Sequence, residues 1–153
     1  MRTLFATLLL CALFVPAQAK DKGQWDLVGH DELTKQWFRG LMQPDTVGGM
    51  AGGISCCGEG DAYYADVVRV RDGKTYAVIT DDRDDKVLGR EFHEDIGTEY
   101  EVPPKKVVGQ EQYLKGNPTG HVIIFLGGPS HDGDVNHRLA PRAVLCYVQN
   151  GGV

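Results

Sequence analysis

Sulfur carries the most reactive chemistry in this sequence, through the adjacent pair Cys56-Cys57 and, ninety residues on, Cys146. Thiolates at these positions, joined by a nearby histidine, could hold a soft metal such as copper(I) or zinc. Structural zinc sites, however, space cysteines as C-x2-C so that two sulfurs converge, and adjacent cysteines do this poorly. In an oxidising compartment the default is a disulfide between distant cysteines. A Cys56–Cys57 bridge would close a strained ring through one peptide bond. In an extended strand adjacent side chains point to opposite faces, so only one of the pair should meet Cys146. Either bridge closes a loop of about 90 residues, for which chain entropy gives roughly 4 kcal/mol. Cys57 is the slightly preferred partner, with Cys56 left open.

The second cluster is Ser130-His131-Asp132-Gly133-Asp134-Val135-Asn136-His137. Asp132, Asp134 and Asn136 reproduce the opening of a calcium loop. The pattern then fails, because His137 stands where glycine makes the sharp turn and Ala143 where the bidentate glutamate belongs. A metal ion held by His131, Asp132, Asp134 and His137 is therefore the minor reading, and no cofactor is expected. Asp81, Asp82, Asp84 and Asp85 form a third cluster, read as a charged surface loop that discourages edge-to-edge aggregation.

Nucleophilic catalysis fares no better. His121 and Ser130-His131-Asp132-Gly133 faintly resemble the exported L,D-transpeptidases, whose signature is a histidine followed by Ser-His-Gly-Cys. Asp132 stands at the glycine position and Gly133 at the cysteine position, so the nucleophile is missing. A Cys-His pair using the remaining thiol with His93, His121, His131 or His137 is a third, weaker alternative. No G-x-S-x-G, H-E-x-x-H or P-loop occurs. The sequence leans away from an enzyme.

The elements that must position these groups follow from composition and pattern. The chain has 153 residues, 24% charged and 42% hydrophobic, which is too apolar for disorder. Its formal charge of −5 removes the electrostatic basis for a dedicated nucleic-acid binder. Met1-Arg2, an apolar run from Thr3 to Val15 and Ala17-Gln18-Ala19 read as a signal peptide over 1–19. The run is about 13 residues, short of the roughly 20 that span a bilayer. Cleavage would remove Cys11 and leave 20–153 as one domain in the periplasm or secreted, without a membrane span.

Asp31 can cap a helix over 31–42, with Leu33, Trp37, Phe38 and Leu41 at helical spacing and Pro44 beyond its end. Beyond Gly58 the period changes to two. One strand is expected over 62–70, turning at Asp72-Gly73 into 75–80, a hairpin with the strongest local signal in the chain. Further strands are expected over 98–102, at an edge before Pro103-Pro104, over 121–126 and over 143–148. Strands in succession argue for a mainly β (α+β) fold, a small antiparallel barrel-like sheet with one N-terminal helix.

Trp37-Phe38 with Gln43-Pro44, Ser55-Cys56-Cys57-Gly58 with Asp61-Ala62-Tyr63, Gly116-Asn117-Pro118-Thr119-Gly120, and Cys146-Tyr147-Val148 with Gly151-Gly152 together resemble a family of small exported bacterial proteins. That family has paired cysteines before a hairpin and one cysteine near the C-terminus. The resemblance implies that the three cysteines are a shared framework, and it carries over no activity. The reading is thus a non-enzymatic exported domain that binds a protein or small-molecule ligand through its loops.

Overall fold

A computed structural model describes residues 29–48, 52–109, 116–128 and 142–150. Helix α1 (Glu32–Gly40) begins where Asp31 accepts a hydrogen bond from the Thr34 N–H at 3.0 Å, satisfying a donor left open by the first turn. Of the expected apolar face, Phe38 and Leu41 are buried and Trp37 packs partly buried beside them, and Leu33 alone departs from it. Thr34 and Phe38 point inward, while Leu33 is 73% exposed. The Thr34 hydroxyl also bonds to Asp31, so it enters the interior already satisfied.

Among the described residues, six strands make two antiparallel sheets. The first has the order β1-β5-β6, from β1 (Asp61–Tyr64), β5 (Ile123–Leu126) and β6 (Val144–Val148). The second has the order β2-β3-β4, from β2 (Val67–Arg71), β3 (Lys74–Val78) and β4 (Glu99–Val102). The mainly β class with one longer helix is as expected, but the sheets do not close into a barrel. The segment expected as one strand over 62–70 divides between the two sheets. Its break lies at Ala65-Asp66, where the Asp66 carboxylate accepts from the Val122 N–H at 2.8 Å and its own N–H donates to the Thr80 hydroxyl. A side chain that competes for backbone hydrogen bonds ends the ladder there.

The first sheet is the middle layer. Ile123, Phe125, Cys146 and Val148 face α1, packing with Phe38, Leu41, Cys56 and Cys57. Ile124, Leu126, Tyr63 and Tyr147 face the second sheet and pack with Ala77, Ile79, Tyr100 and Val102. Both sides of β5 are therefore covered, which is why its sequence is a continuous apolar run rather than an alternation. The β2–β3 hairpin turns through Asp72 and Gly73, at φ 51° and 73°. Two positive φ values define the type I′ turn that matches strand twist, and Asp-Gly is the pair that tolerates them. Among the described residues no helix is long and apolar enough to cross a membrane. The leader read over 1–19 lies outside the described residues.

Candidate functional site

The disulfide joins Cys56, not Cys57, to Cys146 in β6. The extended backbone assumed for the pair is replaced by a single helical turn, α2 (Cys56–Glu59), whose cap Ser55 accepts from the N–H groups of Cys57 and Gly58. Successive side chains on a helix diverge by roughly 100°, so Cys56 turns to β6 while Cys57 turns to α1. The Cys57 thiol is buried and donates to the Phe38 carbonyl at 3.2 Å. A serine before Cys-Cys-Gly-Glu was the available signal for this turn. With two sulfurs bonded to each other, the three-thiolate metal site is not formed. Among the described residues no group of three or more His, Cys, Asp or Glu is placed to hold a metal ion. His131, Asp132, Asp134 and His137 lie outside the described residues.

The acidic segment 81–85 is more than a solvated loop. Asp81 is buried, and its carboxylate takes a two-pronged bond from Arg83, at 2.8 and 2.7 Å, and a further bond from Arg90. It also accepts from the Tyr64 N–H, while the Arg90 guanidinium donates to the Ala62 carbonyl. Side chains thus occupy the outer edge of β1. Burial alone would raise the Asp81 pKa, but the bond from Arg83, the Tyr64 N–H and the charge of Arg90 outweigh it and hold the carboxyl at about 2. A folded-state value below the unfolded one contributes stability that is complete above about pH 4 and lost as the pH falls toward 2. Between pH 5 and 2, urea stability of the native chain is expected to fall by roughly 2 kcal/mol more than that of Asp81→Asn. Parallel curves would contradict this ion cluster.

Arg142 organises a second buried cluster. Its guanidinium donates to Asp61 at 2.7 Å, to the Tyr63 hydroxyl at 2.9 Å, to Glu94 at 3.2 Å, and to the carbonyls of Leu126 and Gly127. Asp61 also accepts from the N–H groups of Glu91 and Phe92. Burial pushes the Tyr63 hydroxyl up to about 12, against the pull of Arg142, so it stays a donor to the Phe92 carbonyl. Strongly interacting ionisable groups often mark catalysis. Here every named group is bonded to another or to backbone, an arrangement that ties the 90–94 segment to β1 and β5.

Nearer the surface, Arg83, Tyr64 and His121 form a stack. The guanidinium lies 3.6 Å from the Tyr64 ring centroid and the imidazole 3.9 Å from it, inclined 14°. Two groups so close must occupy opposite faces of the ring. The His121 Nδ1 lies 2.8 Å from the Asp66 carboxylate. That contact occupies Nδ1 and leaves Nε2 as the ring nitrogen for a second partner. Nucleophilic catalysis also needs a hydroxyl or thiol on that nitrogen, and among the described residues none is bonded to it. His93 instead contacts Asp85 at 2.6 Å and Asp95 at 3.4 Å.

The remaining candidate is an edge. On the inward face of the second sheet, the rows Val68–Ala77–Tyr100 and Val70–Thr75–Val102 run across the three strands. Tyr100 and Val102 are buried and Ala77 is fully so, yet Val68 is 45% and Val70 71% exposed. The core stops before β2. In a two-residue hairpin the flanking Arg71 and Lys74 exchange hydrogen bonds, and so do alternate pairs beyond them. Val68 and Val70 therefore aim their N–H and C=O groups away from β3. Among the described residues nothing is bonded to them, whereas the β1 edge is occupied by Arg90 and Asp81, and β6 meets the Val108 N–H at the Tyr147 carbonyl. Sequence reasoning missed this edge because Val-Arg-Val-Arg alternation reads as a half-buried strand. No protein-family model matches the chain, and no curated protein or solved structure matches it.

Proposed function

We propose that the chain is an exported, non-enzymatic domain, periplasmic or secreted, that binds a protein partner by pairing along the β2 edge. The single observation that carries the reading is that edge, whose outward backbone groups are bonded to nothing among the described residues and whose core-facing side carries two exposed valines. Edge strands are templates for adding another strand. The reading moves recognition from the loops to a strand. The leader and the Cys56–Cys146 bridge support export, since such bonds persist in oxidising compartments.

Placing a photo-crosslinking amino acid at Val68 or Val70 in cells tests this. Both positions are expected to give a discrete protein adduct that is absent when the same group replaces Val87 or Ile96, which are also exposed. Equal adducts at all four positions, or none at Val68 and Val70, would remove the edge as a partner site.

A further inference from the structure

We infer that the segment added to β2 is an extended strand alternating apolar with acidic side chains, an inference that rests on the partner-binding reading above. The two faces of the edge differ in chemistry. Val68 and Val70 lie on the inward face, while Arg69 and Arg71 lie on the outward one. Both guanidinium groups contact the single carboxylate of Glu99 across β3, and their side chains remain 54% and 51% exposed. Beside them Lys74 pairs with Glu101. One carboxylate shared by two guanidiniums leaves a positive charge in a chain whose formal charge is −5. A strand laid against β2 would bring its own side chains to the same two faces by the alternation of the pleat. Apolar side chains then cover the valines, extending the core by one more strand. Carboxylates meet Arg69 and Arg71 in the planar fork geometry that guanidinium favours.

The same geometry argues against a second copy as the occupant. The antiparallel register that overlaps all five residues of β2 with their equivalents sets Val68 against Val70, which is favourable. It also sets Arg69 directly against Arg69 of the other copy, and like charges facing each other across strands are destabilising. An acidic strand meets no such opposition.

The test uses the full folded protein with its disulfide intact, and a short synthetic peptide alternating valine with glutamate. Its counterpart alternates valine with lysine. Titrations followed by backbone amide NMR are expected to shift the Val67–Arg71 resonances with the glutamate peptide, which binds roughly tenfold tighter than the lysine one, about 1.4 kcal/mol. Raising the salt concentration should narrow that ratio. R69Q/R71Q should abolish the preference while keeping the amide spectrum of the remaining sheet. Equal binding of both peptides along β2 would overturn the acidic preference and leave the edge as a partner site. Absence of any shift at β2 would overturn the inference, and a partner that the crosslinks still locate there would then use another chemistry. Sedimentation showing a dimer abolished by Val70→Lys would overturn it in favour of a second copy.

Discussion

Replacing Arg142 with methionine is expected to destabilise the protein by about 3–5 kcal/mol, because it leaves buried carboxylates without their cation. Asp61 is fully buried and Glu94 nearly so, and each bonds to this guanidinium. Methionine preserves most of the side-chain volume, so packing loss contributes less than the uncompensated charge. The Leu126 and Gly127 carbonyls and the Tyr63 hydroxyl also lose a donor. Adding Asp61→Asn to the methionine variant should recover part of the loss, since a neutral amide costs less to bury than a carboxylate. Urea denaturation of the three proteins measures this directly. A loss below about 1 kcal/mol for the single variant would mean that the cluster is hydrated and contributes little.

The second large effect concerns the bridge. Replacing both Cys56 and Cys146 with serine releases a cross-link between residues 90 apart in sequence. The chain-entropy model places the cost at roughly 4 kcal/mol, within the 2–5 seen for small secreted domains. Cys57→Ser should cost much less, because no covalent link is lost and a hydroxyl can still donate to the Phe38 carbonyl. In the native protein the Cys57 thiol should resist alkylation until denaturant is added, since it is 1% exposed. A double-serine variant that melts with the parent, or a Cys57→Ser variant that falls as far as the double, would contradict the assigned pairing.

These two clusters differ in how far they could be read from sequence. Distant cysteines in a chain read as exported announced a cross-link, but the choice between neighbours depended on backbone shape at Ser55, where a cap begins a turn. The helix cap at Asp31 and the Asp72-Gly73 turn were legible because their determinants are local. The apolar runs of β5 and β6 announced buried strands for the same reason. Arg142 and Asp61 are 81 residues apart, and neither carries a local sign that distinguishes a buried ion pair from a solvated one. Asp81 is the same case, an acidic residue in an acidic run whose burial is decided by Arg83, Arg90 and the β1 backbone. The division of 62–70 between two sheets also depends on distant partners, Val122 and Thr80. The valines of β2 look like core residues in any single-strand pattern. Only their position beyond the reach of the first sheet leaves them exposed.

Amide hydrogen exchange along β2 in the free protein tests most directly whether its edge is open. Exchange should be fast at Val68 and Val70, whose N–H groups point outward, and slow at Arg69 and Arg71, whose N–H groups bond to β3. Equal protection at all of these positions would show that another part of the molecule already occupies the edge.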